Sequence, residues 1–427
     1  MTEADSPLDE SQSIPLVPLT TPQSNVHLVT TAQELDVAVK QLSGTEGPVA
    51  VDAERASGFK YSQRAYLIQL KTLDSDIYLI DPTTDSTLIE SDAFVALREL
   101  LASREWILHA ATQDIPCLRE LALHPKSIFD TELAGRLSGQ PRVGLGSLVE
   151  TLLGISLAKE HSAADWSTRP LPDSWLNYAA LDVELLHELR QKLNTILTEQ
   201  GKTDWADQEF ANLLTFKPKP TKPDRWRSIT GLSKVSDQNS LEIARQLWHA
   251  REELAIKMDV SAGRLVPDAA ILSVATEKPR TKPELASLRS FTGRASRSYL
   301  DYWWQALQSA HKATSLPPIR AEKLEGIPNH RNWAAKFPEA DRRLRHARNA
   351  LTTISEQHNL PLENLLTPDI LRQVCFLPPE TASIESVRVM LLGFGARSWQ
   401  ADLTAQAITD AISRLDEPDQ KLQSPQQ

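Results

Sequence analysis

The chain has 427 residues, 41% of them hydrophobic and 24% charged, with a net charge of −10. That length exceeds one ordinary domain, and two or three are expected. No run of about 18 apolar residues occurs, which excludes a membrane-spanning helix. Its two cysteines, Cys117 and Cys375, exclude a disulfide framework or a zinc cluster and fit a reducing, cytoplasmic setting.

The charge is uneven. Residues 215–330 hold 19 Lys and Arg against 12 Asp and Glu, a net of +7, which leaves −17 for the rest. An acidic front joined to a basic middle suits a metal-dependent enzyme with a separate nucleic-acid-holding module. It suits two unrelated solvated faces as well.

Residues 1–24 are acidic and rich in Ser, Thr and Pro, with no Lys or Arg. This is the reverse of a signal peptide's basic opening, and the stretch is expected to be a disordered tail. Val26–Val29 reads as a short strand. Thr31 with Glu34 three residues on forms a capping box for a helix over 35–42, which Gly44 ends. Val49–Glu54 follows Gly47-Pro48 as an apolar run and reads as a buried strand. Residues two apart on a strand share a face, so Asp52 and Glu54 aim at one spot. Two such acids repel unless they share a proton or a cation, and hard oxygen ligands point to magnesium or manganese. By itself the pattern reads first as a strand end beside a solvent-facing acid.

Tyr66–Leu70 and Asp76–Asp81 are expected to be antiparallel neighbours of that strand. Phe94, Leu97, Leu100 and Leu101 recur at helical spacing. Trp106–Ala110 is a further strand-like run leading to Asp114, which Pro116 places near a helix start; alone, Asp114 reads as a helix cap. Helices are expected to begin at Phe129 and at Leu145. From Pro172 to Arg190 the apolar positions keep helical period, predicting one helix. Tyr178 and Asp182, four apart, lie one turn apart on its face; they fit a metal and its water, or a simple solvent-facing pair.

Taken together, Asp52-Ala-Glu54, Asp114 after His109-Ala-Ala-Thr-Gln, and Tyr178-Ala-Ala-Leu-Asp182 resemble the exonuclease motifs of the DEDDy class. The contexts Asp165-Trp166-Ser167-x-Arg169-Pro170-Leu171 and Tyr178-Ala179-Ala180-x-Asp182-Val183 resemble the ribonuclease D family over residues 26–200. The resemblance implies a ribonuclease-H-like α/β exonuclease domain, a mixed sheet flanked by helices, over 25–212. It also implies 3′→5′ hydrolysis of RNA, such as the 3′ ends of tRNA precursors, with DNA as the alternative substrate and a non-catalytic RNA-binding protein as the other alternative. Two divalent ions, Mg2+ or Mn2+, would serve it. Asp52, Glu54 and Asp182 would hold one ion, Asp52 and Asp114 the other, and Tyr178 would orient the attacking water. Arg55, Tyr61, Arg64 and His109 are candidates for contact with the 3′ end; Phe59, Tyr61 and Tyr66 fit base stacking or core packing equally.

Residues 213–235 read as a basic, proline-rich linker. Beyond it Ser240 is expected to cap a helix with a stripe of Ile243, Ala244, Leu247, Trp248, Arg251 and Leu254. The alternation of short helices and proline-started turns over 236–312 is similar to the helicase-and-RNase-D C-terminal (HRDC) domain. Residues 338–415 repeat the theme as a second, all-α HRDC-like domain, and 416–427 read as a polar, disordered tail. Such domains are implied to hold nucleic acid, with Arg225, Arg227, Arg289, Arg294 and Arg297 as candidates. No membrane partner is expected, and the resemblance implies a monomer.

Overall fold

The structure, a computed structural model, describes residues 16–158, 163–220, 223–320 and 326–414. Its strands are β1 (Val17–Leu19), β2 (Val26–Val29), β3 (Val49–Arg55), β4 (Ala65–Lys71), β5 (Ile77–Ile80), β6 (Glu105–Leu108), β7 (Ser127–Asp130) and β8 (Ile155–Leu157). Six of them form one mixed sheet in the order β2-β5-β4-β3-β6-β7. The central hairpins β3–β4 and β4–β5 are antiparallel, while β2–β5, β3–β6 and β6–β7 are parallel. The helices of this domain are α1 (Ala32–Ser43), α2 (Asp92–Ala102), α3 (Ile115–Glu120), α4 (Thr131–Leu137), α5 (Leu145–Leu153), α6 (Asp173–Glu184), α7 (Leu186–Glu199) and α8 (Thr203–Leu213).

The sheet's interior follows from its apolar runs. Val49, Ala50 and Val51 have no exposed surface, and every residue of β4 and β5 is buried. Strands buried on both faces read as continuous apolar stretches rather than alternating ones. The capping box forms as expected: Thr31 Oγ1 accepts from the Glu34 amide while the Glu34 carboxylate accepts from the Thr31 amide. α6 packs across β3, β4 and β5, which brings its carboxylate to the middle of the sheet.

Several expectations need correction here. The Asp76–Asp81 run holds β5, which neighbours β4 and β2 rather than β3. Residues 16–24 are ordered at least in part: β1 pairs in parallel with β8, and Leu19 joins the core. The apolar Leu16–Leu19 run is hidden by the composition around it; residues 1–15 lie outside the described residues. Phe129 and Asp130 end strand β7, and the helix starts at Thr131 with Asp130 as its cap. The single helix predicted over 172–190 breaks at Leu185 into α6 and α7, with no glycine or proline to announce it. Residues 213–235 are not all linker, because Trp226, Ile229 and Leu232 are buried in the core of the first helical domain.

That domain comprises α9 (Gln238–Met258), α10 (Ala262–Leu265), α11 (Asp268–Glu277), α12 (Lys282–Ser287), α13 (Arg294–Ser298) and α14 (Leu300–Lys312). Asp237, not Ser240, caps α9; Ser240 is the third helical residue, and both its amide and hydroxyl donate to the Asp237 carboxylate. The second helical domain follows as α15 (Trp333–Lys336), α16 (Pro338–Gln357), α17 (Leu362–Leu365), α18 (Pro368–Phe376), α19 (Ile384–Gly393) and α20 (Ser398–Ser413). It begins before 338, since Trp333 is fully buried and its ring lies 5.1 Å from that of Phe376. The tail predicted over 416–427 lies outside the described residues. A long helix, a one-turn helix and a proline-led helix recur in both domains, so the α/β domain followed by two all-α domains stands as expected.

The two helical domains meet the α/β domain differently. The second shares its hydrophobic core. Trp205 of α8 stacks on Trp399 with ring centroids 4.9 Å apart, Arg397 Nε donates to Glu209 at 2.7 Å, and Lys202 Nζ donates to the carbonyls of Leu137 and His358. The first keeps a core of its own and touches the α/β domain mainly through polar contacts with the loop after β3.

Candidate active site

β3 carries Asp52 and Glu54 on one face, and α6 carries Asp182 across from them. Carboxylate oxygens of these three residues all lie within 4.8 Å of one another. Asp114 stands at the N-terminus of α3, but its side chain makes no capping bond. It lines, with Asp52, Glu54, Tyr178 and Asp182, one cavity of about 400 Å3. The turn that delivers it is held from outside the cavity: Ala110 is left-handed, and its amide and that of Ala111 donate to the Asp130 carboxylate.

The electrostatics follow from burial. It pushes Asp52 up to about 6 and Glu54 up to about 10, the latter helped by the neighbouring charges of Asp52, Asp182 and Asp114. Asp114 and Asp182 are likewise raised well above the usual carboxylate range, first by burial and then by Asp52. Carboxylates gathered in low dielectric hold protons at neutral pH unless a cation replaces them. An all-oxygen donor set with this charge deficit suits a hard divalent ion. The site therefore fits a divalent metal.

Tyr178 hydrogen-bonds to Asp182, as their one-turn spacing allows. Burial raises its phenol further above the ordinary value, so it stays protonated. Its ring centroid lies 6.4 Å from that of Trp166, which is wholly buried and 5.5 Å from Trp175. The Asp165–Leu171 segment is thus a support for Tyr178. Arg169 anchors it by donating to Asp81 Oδ1 at 2.8 Å and to the Tyr66 carbonyl.

Of the candidates for substrate contact, Arg55 and His109 line the cavity. His109 is lowered to about 4 by burial and is neutral. The Thr131 hydroxyl donates to the Leu108 carbonyl, so His109 Nδ1 donates to Thr131 and Nε2 is the acceptor. Tyr61 and Arg64 have protein partners instead: the Tyr61 hydroxyl donates to Glu252, and Arg64 lies 3.8 Å from Asp259. Arg225 adjoins Tyr61 and lies 5.9 Å from the Trp248 ring. Arg227, another candidate for nucleic-acid contact, covers Trp226 at 4.3 Å and donates to the Pro318 carbonyl. Arg289, Arg294 and Arg297 are exposed around α13.

Sequence reasoning missed Asp130, the Asp81–Arg169 pair, and Gln69. Asp130 carried a signal, being an acid directly before a helix. Gln69 lies directly opposite Asp52 in the β3–β4 register, is fully buried, and neither amide atom has a partner among the described residues.

Residues 26–198 match the family described as 3'-5' exonuclease, residues 240–307 the HRDC domain, and residues 326–412 the family described as 3' to 5' exonuclease C-terminal domain. Fold and site together define a 3′-5′ exonuclease with accessory helical domains. The ribonuclease D of Jannaschia sp. (strain CCS1) is 31% identical over 269 residues, covering 62% of this chain and 68% of that protein. The chain belongs to the ribonuclease D family, whose members are 3′-5′ exoribonucleases. It spans about two thirds of the length of the curated relatives it matches.

Among solved structures, a protein from Bifidobacterium adolescentis is 34% identical with a TM-score of 0.85, covering 93% of this chain and 100% of that one. Escherichia coli RNase D, at 23% identity and a TM-score of 0.64, covers 91% of this chain and 99% of its own and shares the fold. No helix among the described residues is long and apolar enough to cross a membrane.

Proposed function

We propose that this protein trims structured RNA, such as tRNA precursors, one nucleotide at a time from the 3′ end, releasing nucleoside 5′-monophosphates. The observation that carries this reading is the convergence of Asp52, Glu54 and Asp182 within 4.8 Å, with Asp114 and Tyr178 on the same cavity. Asp52, Glu54 and Asp182 would hold one divalent ion, and Asp52 with Asp114 a second, Mg2+ or Mn2+. Such a pair, when bound, lowers the pKa of a water and stabilises both the attacking and the leaving oxygen of an in-line displacement.

The chain's own groups do the rest. Tyr178 stays protonated and hydrogen-bonded to Asp182. It is therefore a positioner of the attacking water rather than a base. His109, neutral with an accepting nitrogen, offers a hydrogen bond and no charge. Arg55 supplies the cavity's positive charge. The exposed arginines around α13 suit backbone phosphates of the RNA body, an attraction that salt weakens.

The test is product analysis. A tRNA precursor with a labelled 3′ trailer, incubated with Mg2+ or Mn2+, should yield labelled nucleoside 5′-monophosphates and a shortened RNA. Release of oligonucleotides or nucleoside 3′-monophosphates would contradict the reading. Cleavage of matched DNA but not RNA would move the protein to a DNA exonuclease.

A further inference from the structure

Arg55 sits at the one irregularity of β3. The register against β4 runs Glu54 to Leu67 and then Arg55 to Ala65, so the extra residue of the bulge is Tyr66 on β4. Strict alternation would send Arg55 to the face opposite Asp52 and Glu54. Arg55 nonetheless lines the same cavity as the acids.

There it is held loosely. Its Nη2 lies 4.0 Å from Asp114 Oδ1, beyond hydrogen-bond length. Its Nε is buried with no hydrogen-bond partner among the described residues. A guanidinium presents five donors in a planar fork that matches phosphate oxygens, and burying its donors unmet is costly. Its positive charge acts on Asp52, Glu54 and Asp114 together. Asp114 is also the acid that stands outside the three-carboxylate group. The cavity thus holds one metal position grouped by three acids, and a fourth acid already faced by an internal cation.

We propose that Arg55 and the second divalent ion compete for Asp114, and that the RNA phosphate resolves the competition by drawing the guanidinium onto itself. This rests on the two-ion reading of the site. The first ion then loads on Asp52, Glu54 and Asp182 without substrate, while the second arrives with the RNA. The ordering ties full metal loading to the presence of a bound 3′ end.

The test is a Mn2+ titration of the full chain followed by electron paramagnetic resonance, with and without an RNA whose terminal linkage is a non-cleavable phosphorothioate. Wild type should bind one ion alone and two with RNA. Arg55→Gln should bind two ions without RNA, the second at least about tenfold tighter than in wild type, and should bind the RNA about tenfold more weakly. Arg55→Lys keeps the charge without the fork, so it should still exclude the second ion while weakening RNA, and it serves if the glutamine variant does not fold. Equal second-ion affinity in wild type and Arg55→Gln overturns the proposal. If Asp52→Ala binds Mn2+ as wild type does, the two-ion reading itself falls, a result distinct from failure at Arg55 alone.

Discussion

The backbone amide of Ser62 donates to the Asp259 carboxylate at 2.8 Å, tying the loop after β3 to the C-terminus of α9. Asp259 is left-handed, with φ of 46°, and its other oxygen accepts from the Tyr66 hydroxyl. α10 adds to the seam: the Ser261 amide donates to the Phe59 carbonyl, and Arg264 donates to the Gly58 carbonyl and covers the Phe59 ring at 4.0 Å. The loop that leads directly from Glu54 and Arg55 is therefore a docking surface for the first helical domain.

Asp259→Ala should free this loop. It removes one acceptor from two donors at the seam, a loss of about 1–3 kcal/mol. Hydrogen exchange over residues 58–66 should accelerate and the unfolding midpoint should fall. Exchange unchanged from wild type would show that the remaining contacts suffice.

The Arg169–Asp81 pair calls for a larger effect. Asp81 has a side chain only 2% exposed and accepts from Arg169, Thr83 and Thr84. Burial opposes its ionisation, but these hydrogen bonds, Arg169's foremost, hold its pKa below the usual value. Arg169→Ala leaves that carboxylate buried and unpaired, at about 3 kcal/mol or more. A carboxylate lowered on folding stabilises above its unfolded pKa of about 4 and loses that contribution as pH falls through the folded value. The stability gap between wild type and Asp81→Asn, read from denaturant midpoints, should therefore narrow as pH drops below about 4.

Tyr178→Phe should keep its place against Trp166, because only the hydroxyl is lost. Metal binding and RNA affinity should remain near wild type while kcat falls by about tenfold or more. A rise in KM with kcat unchanged would make Tyr178 a binding residue instead of a positioner of the water.

Much of this site was legible in the chain. Asp52, Glu54, Asp114, Tyr178 and Asp182 stand in order with recognisable context, and all of them line one cavity. The Asp165–Arg169 segment was recognisable too, although only the fold reveals that it braces Tyr178 and clamps Asp81. What could not be read depended on distant partners. Tyr61 meets Glu252 and Ser62 meets Asp259, 191 and 197 residues further along, so local chemistry suggested RNA contacts for this loop. The register shift beside Arg55, with Tyr66 as the extra residue on β4, belongs to the β3–β4 pairing and has no local sequence signal. The break at Leu185 carries no breaker residue; tertiary packing of α7 on α4 and β6 overrides local propensity.

Metal should stabilise the protein in a pH-dependent way. Burial raises Asp52 to about 6, above its unfolded value of about 4. Without metal the folded state binds the extra proton between these values, so its stability falls as pH rises through that window. A divalent ion takes the proton's place. The rise in unfolding temperature on adding Mn2+ should thus grow from about pH 5 to about pH 7 and vanish with chelator. A Mn2+ effect independent of pH, or equal in Asp52→Ala, would place the ion elsewhere.

The carboxylates of Asp52, Glu54, Asp114 and Asp182 are proposed to catalyse removal of nucleotides from an RNA 3′ end. A denaturing-gel time course on 5′-labelled RNA and matched DNA, with Mg2+, Mn2+ or chelator and beside Asp52→Ala, tests it most directly. The expected result is a ladder shortening from the 3′ end on RNA, absent in chelator and in the mutant. Tight RNA binding with no ladder under either metal, or equal ladders from wild type and Asp52→Ala, would contradict it.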